Sequence, residues 1–387
     1  MMRRISLFSM FVVLFIASAF SAQCMVFRVS PYLQNPSDTA VTVMWVTDAA
    51  STGEILFGTT PGSLTKAMPA SNVVPDIGKV RIDGLRPGTK YYYRVKATAA
   101  DGQLLLSGIR SFTTLNPRAA SVRAIFLNDI HNQLALYNQL AGVCKGFDHS
   151  LAFLNGDAWD YPNNRDDVLR CMSTYVGAIG YSVPLLFAHG NHEWRGSFSN
   201  QLWTMFDMPN LEAKAEWGKQ KWYYALTQGP VRFIVLDCGE DEVKKMDVFQ
   251  PYRMQEAEWL KQEVQSPEFK NAAFRVLVMH IPLYSHYGNE YNDYGRTSPP
   301  SRTIFEPILS SAGIDVDISA HVHSAEVFDP RVGDNSKHFP YPVVVGGGPS
   351  PAEATAIELA ASQSLLRVTV LNSNGKTIRS ISIKSRE

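Results

Sequence analysis

Asp129, His131, Asp157, Asn191, His280, His321 and His323 are the residues whose types and spacing could do chemistry together. All are oxygen or imidazole donors, a mixture suited to divalent Mn, Fe, Zn or Mg rather than to copper or iron–sulfur clusters. Seven donors exceed what one tetrahedral ion takes. Shared through one carboxylate, they suit two ions about 3.5–4 Å apart, the spacing that clamps the attacking and leaving oxygens of a phosphoryl transfer. Singly, such an Asp caps a helix and such a His is satisfied in a core. Their common position is what sets them apart, because each follows a strand-like run. Residues 124–127 lead into Asn-Asp129-Ile-His131, 151–154 into Asn-Gly156-Asp157, and 183–187 into Ala188-His-Gly-Asn191-His192-Glu193. Likewise, 276–279 lead into His280 and 316–319 into Ala320-His321-Val-His323.

Short apolar runs alternating with helical stretches are the pattern of α/β units, whose ligands gather at the carboxyl ends of strands. Five such ends therefore define one rim. The periodicity predicts helices over 133–145, 165–179, 254–265 and 301–312; in the third, Ala257, Leu260 and Val264 form one apolar stripe. A strand at 341–345 and a hairpin of 365–371 and 377–384 around Asn374-Gly375 follow. Residues 122–387 are thus expected to form two sheets packed as a sandwich and flanked by helices. Before them, residues 27–115 hold only strand and turn signals, which predicts a small all-β sandwich. Leu85, Pro87-Gly88 and Tyr91 resemble the tyrosine corner of fibronectin type III modules, with Trp45 as the core indole.

With 36 Lys and Arg against 36 Asp and Glu in 387 residues, no broad basic face is implied, and no nucleic-acid-binding domain is expected. Met1-Met-Arg-Arg followed by an apolar run and small residues reads as a signal peptide over residues 1–22, and hence as an exported protein. That run is too short to span a membrane, and none is expected in the mature chain. Gln23 before Cys24 disfavours a lipid anchor there. Cys144 and Cys171 flank the second strand and could meet, but no cysteine spacing suggests thiolate metal ligation.

Asp-x-His, Gly-Asp, Gly-Asn-His-Glu, a His before Ile-Pro and His-x-His, in this order, resemble the calcineurin-like metallophosphoesterase family. The preceding sandwich further resembles purple acid phosphatases. The resemblance implies that Asp129, His131, Asp157 and His323 hold one ion and that Asp157, Asn191, His280 and His321 hold the other, with Asp157 bridging. A hydroxide between the ions would then attack phosphorus, and His192, outside the coordination sphere, would stabilise the transition state or protonate the leaving group. Three departures stand out. Asp160 replaces the tyrosine that colours the purple enzymes, His131 is present where they lack a histidine, and Ala320 replaces the usual Gly, which is tolerable if its φ is negative. No purple iron centre is expected. Trp159, Asp160, Tyr284, His286 and Gly346-Gly-Gly-Pro349 are candidates to line the substrate entrance, and residues 194–224, with Trp203, Trp217 and Trp222, to form a lid or rim. The expected activity is hydrolysis of phosphate esters, monoesters before diesters. The other readings are a phosphodiesterase and a surface-binding protein on an inactive phosphoesterase scaffold.

Overall fold

The computed structural model describes residues 24–241, 248–284, 298–332 and 340–386. The amino-terminal region is a two-layer sandwich of β1 (Phe27–Gln34), β2 (Val41–Thr47), β3 (Ser51–Gly58), β4 (Lys66–Pro69), β5 (Ser71–Val74), β6 (Ile77–Ile82), β7 (Lys90–Ala99), β8 (Leu104–Leu106) and β9 (Arg110–Thr113). One sheet has the order β1-β2-β6-β5, the other β4-β3-β7-β8 with β9 also on β7. Trp45 fills the core between them, packed so closely that a side chain at Gly78 would collide with its ring. The Tyr91 hydroxyl accepts from the Arg86 N–H at 3.1 Å, the tyrosine-corner contact.

The remainder is built from β10 (Ser121–Leu127), β11 (Leu151–Asn155), β12 (Leu185–Ala188), β13 (Tyr224–Gln228), β14 (Val231–Leu236), β15 (Phe274–Met279), β16 (Val316–Ser319), β17 (Glu326–Phe328), β18 (Val343–Val345), β19 (Thr355–Ser362), β20 (Leu365–Asn372) and β21 (Thr377–Lys384). Two six-stranded sheets result, ordered β12-β11-β10-β19-β20-β21 and β13-β14-β15-β16-β18-β17. Strands β10, β11 and β12 are parallel, as are β14, β15, β16 and β18. Every residue of β11, β12 and β16 is buried, and β11 and β12 accordingly read as apolar runs rather than alternating ones. Helices α1 (Leu134–Val143), α2 (Arg165–Tyr175), α3 (Gln250–Glu263), α4 (Pro267–Asn271) and α5 (Pro299–Ala312) complete the layers.

Several expectations change. Strands β13, β14, β17 and β19 and helix α4 add to those read from the sequence. Cys144 and Cys171 are buried free thiols, not a bridge. Residues 194–224 are less a lid than a wedge towards the sandwich: Tyr32 donates to the Met205 carbonyl at 2.7 Å, and Asp207 accepts from Thr42 at 2.6 Å and Lys79 at 3.1 Å. Residues 1–22 lie outside the described residues. Among those described, no helix is long and apolar enough to cross a membrane.

Candidate metal centre

Strand ends β10, β11, β12, β15 and β16 deliver their polar residues to one rim. Asp129, His131, Asp157 and His323 each offer a donor atom within 4.8 Å of one another, and so do Asp157, His280 and His321. Asp157 belongs to both groups. His280 Nε2 lies 3.1 Å from Asp157 Oδ2 and 3.9 Å from Asp129 Oδ1; His131 Nε2 is 3.5 Å from Asp157 Oδ2, and His323 Nε2 is 3.5 Å from Asp129 Oδ1. Asn191 Oδ1 accepts from His321 Nδ1 at 3.1 Å, leaving the other ring nitrogen of His321 directed inward.

The backbone here is locally unfavourable. Asp129, His131, Asp157, His321 and His323 all have φ between 44° and 68°, a region that non-glycine residues seldom adopt. Strain at five clustered positions needs an opposing constraint, and Glu193 provides one. Its buried carboxylate accepts from the backbone N–H groups of Asp157 (2.9 Å), Ala158 (2.8 Å), Trp159 (3.3 Å) and Gly190 (2.9 Å), tying the β11 loop to the β12 loop. Gly190 is needed at that junction, since a Cβ would meet Asp157 Oδ1 at 2.4 Å. Ala320 is not among the positive-φ residues, so its Cβ is accommodated.

Whether the residues fit metal ions is decided by their unused atoms. Asp129 Oδ1, His131 Nε2 and His321 Nε2 are buried without a hydrogen-bond partner among the described residues, and His280 Nε2 has the Asp157 carboxylate at 3.1 Å, an expensive arrangement for polar atoms unless a cation completes it. The electrostatics agree. Burial lowers His131, and burial with the neighbouring His280 lowers His321 to about 4, so both present neutral, ligating nitrogens. Burial resists ionisation of Asp157, but His280 and the other imidazoles outweigh it and hold this carboxyl well below its usual range. Burial likewise opposes charge on His280, yet Asp157 and Asp129 bring it up to about 10. The carboxylates thus draw positive charge into the cup. Oxygen and imidazole donors in two sets sharing a carboxylate fit a pair of divalent ions of unspecified identity.

The remaining candidates separate. His192 and Asp160 border the cup: His192 Nε2 is 3.9 Å from Asp157 Oδ2, and Asp160 Oδ1 is 3.3 Å from His131 Nδ1. Tyr284 is only 2% exposed, with Tyr341 edge-on and the Arg302 guanidinium over its ring, the surroundings of a packed core residue. Trp159 is fully buried among Tyr175, Phe187 and Phe206 rather than at the entrance. His286 lies outside the described residues. Gly346 does approach the site closely, against Asn128. Three residues not anticipated also border it: Arg195, Glu240 and Asp241. Their signal was present, because residues 233–236 form a further apolar run ending in Asp237-Cys-Gly-Glu240-Asp241.

Residues 122–325, just over half the chain, match the family model described as calcineurin-like phosphoesterase. The chain belongs to the calcineurin-like phosphoesterase family. Residues 26–114 match the purple acid phosphatase N-terminal domain. Probable purple acid phosphatase 20 of Arabidopsis thaliana is 22% identical over 319 residues, covering 79% of this chain and 70% of that protein. Purple acid phosphatase 15 of the same plant is 24% identical over 275 residues, 65% of this chain and 49% of that protein. The chain therefore spans only part of such relatives. In fold, it is similar to a purple acid phosphatase from yellow lupin (Lupinus luteus) seeds, with a TM-score of 0.71 at 17% identity over 93% of this chain and 74% of that one. The dinuclear cluster and family membership together make this a metal-dependent phosphoesterase.

Proposed function

We propose that the protein is an exported phosphomonoesterase with a pair of divalent ions. The observation that carries the reading is the convergence of carboxylate and imidazole donors on Asp157, three of them (Asp129 Oδ1, His131 Nε2 and His321 Nε2) buried without a hydrogen-bond partner among the described residues. Asp129, His131, Asp157 and His323 would hold one ion and Asp157, Asn191, His280 and His321 the other. Two such ions, when bound, supply a nucleophile near neutral pH and neutralise charge in an in-line displacement at phosphorus. The chain's own contribution is positional. Glu193 fixes the two loops that carry Asp157 and Asn191, and Asn191 fixes the His321 ring. The side chains of His323 and Asp160 are 42% and 53% exposed, which puts the mouth of the cup on their side. The preference for monoesters is supported by the phosphatase names of the relatives, and export by the layout of residues 1–22.

The test is a metal-reconstituted rate comparison on an aryl phosphate monoester and the corresponding bis-aryl diester. Chelator-sensitive turnover, faster on the monoester and abolished by Asp157→Asn, is expected. Equal, metal-independent rates for both proteins would refute the phosphoesterase reading, and a faster diester would overturn the monoester preference.

A further inference from the structure

We infer that Tyr161 determines specificity at this site, its ring being the face against which a planar aromatic leaving group of the ester lies. The inference rests on the phosphoesterase reading and names the class of alcohol within it. Three rings line one wall of the cup. His131, in the ligand set with Asp129 and Asp157, has its ring centroid 4.6 Å from that of His192, and the His192 centroid is 5.4 Å from that of Tyr161. Exposure rises along the row, from 8% and 18% for the side chains of His131 and His192 to 44% for Tyr161. The wall therefore runs from the metal centre out to solvent. Because His192 Nε2 is 3.9 Å from Asp157 Oδ2, an ester whose phosphoryl group sits at Asp157 has His192 beside it and Tyr161 one ring further out. That is where the alcohol portion lies, since it leaves through the mouth.

The backbone beneath Tyr161 is pinned. Pro162 confines the residue before it to extended backbone. The Tyr161 carbonyl accepts from the Asn163 N–H at 2.8 Å, the Pro162 carbonyl from the Phe198 N–H at 2.8 Å, and the Asn163 carbonyl from the Ser197 hydroxyl. The two loops meet so closely that a Cβ on Gly196 would come within 2.7 Å of the Pro162 carbonyl oxygen. A tyrosine has few side-chain torsions to lose and presents a broad, rigid face, so on such a support it offers contact area at small entropic cost. Against a flat partner that face gains an attraction beyond the area buried, because the ring quadrupoles align in offset or edge-on pairs. A saturated ring of the same carbon count covers similar area without it. Selectivity among alcohols therefore belongs to Tyr161, while the metal cup holds the phosphoryl group that all such esters share.

The experiment measures binding of two non-hydrolysable monoester mimics, benzylphosphonate and cyclohexylmethylphosphonate, to the metal-reconstituted full chain. Inorganic phosphate is the reference, and Tyr161→Phe and Tyr161→Leu are compared with wild type at equal metal content. The two phosphonates share a metal-binding group and a carbon count, and differ in flatness. Tyr161→Leu should weaken benzylphosphonate about 2- to 10-fold relative to its saturated counterpart, the usual worth of one aromatic pair, while Tyr161→Phe keeps the wild-type ratio and phosphate binds all three proteins equally. A ratio of affinities does not depend on the folded fraction. Turnover gives a second readout: kcat/KM for benzyl phosphate against cyclohexylmethyl phosphate, whose alcohols are similarly basic, should shift in the same direction. An unchanged ratio in Tyr161→Leu, or an equal loss for both phosphonates and for phosphate, would overturn the inference. Wild-type protein that binds the phosphonates yet turns over no ester would instead defeat the phosphoesterase reading, with the affinity ratio still deciding whether Tyr161 faces the ligand.

Discussion

At the scale of single residues, Glu193 shows how one side chain can set a metal site it does not enter. Both of its oxygens accept two backbone N–H groups, Oε1 from Ala158 and Trp159 and Oε2 from Asp157 and Gly190. Burial and the nearby Asp157 push Glu193 up to about 8, while the donors favour its carboxylate form. Glu193→Gln keeps the shape but turns an NH₂ toward two N–H groups, leaving them unsatisfied in the interior. Such loss costs about 1–3 kcal/mol for each buried group left without a partner. Metal affinity should fall about 10- to 100-fold, as when a ligand's supporting contact is removed, measured by metal titration of the chelated protein. Unchanged metal affinity would show that Asp157 keeps its left-handed backbone without this carboxylate.

At the scale of elements, β16 carries a cost beneath the His321–His323 loop. Asp317 is fully buried, accepts from Ser319 Oγ at 2.7 Å, and has no hydrogen-bond partner for Oδ2 among the described residues. Burial pushes it up to about 7. Because the folded value exceeds the unfolded one of about 3.9, the native state holds a proton the unfolded state has released, so stability falls as pH rises between the two values and then levels off. Asp317→Asn removes that decline. Between pH 4 and pH 8 the variant should gain on the order of 2–4 kcal/mol relative to wild type, read from denaturant midpoints. Parallel pH profiles would refute it. Neighbouring strands show what was legible: residues 151–154 and 276–279 announced themselves because a strand buried on both faces is a short apolar run, and the polar rim beyond them was readable for the same reason. By contrast β19 has the sequence TAIELAAS, good helix formers, yet it pairs with both β10 and β20; position within the sheet overrides local propensity. The left-handed φ values of the ligand loops and the Arg195–Glu240 pairing are invisible in sequence, since they depend on which loops become neighbours after folding.

At the scale of the molecule, the sandwich is a wall of the catalytic unit's core. One hydrophobic cluster, with Trp45 and Tyr93, is internal to it. The other runs continuously from Val29, Tyr32, Met44, Val46 and Ile77 on its four-stranded sheet into both sheets of the phosphoesterase domain. Polar contacts join the same faces: Gln34 Nε2 donates to the Leu185 carbonyl at 2.7 Å, at the start of the strand that leads to Asn191 and His192. Burying apolar area shared by two units makes their unfolding cooperative, because either alone would expose it. A single calorimetric transition is therefore expected for the intact protein. Tyr32→Phe tests the coupling, as it leaves the Met205 carbonyl without its 2.7 Å donor and should cost about 1 kcal/mol. That loss should lower the one midpoint seen by sandwich and catalytic-domain probes alike; two resolved transitions, with only one of them shifted, would mean that the sandwich is merely tethered.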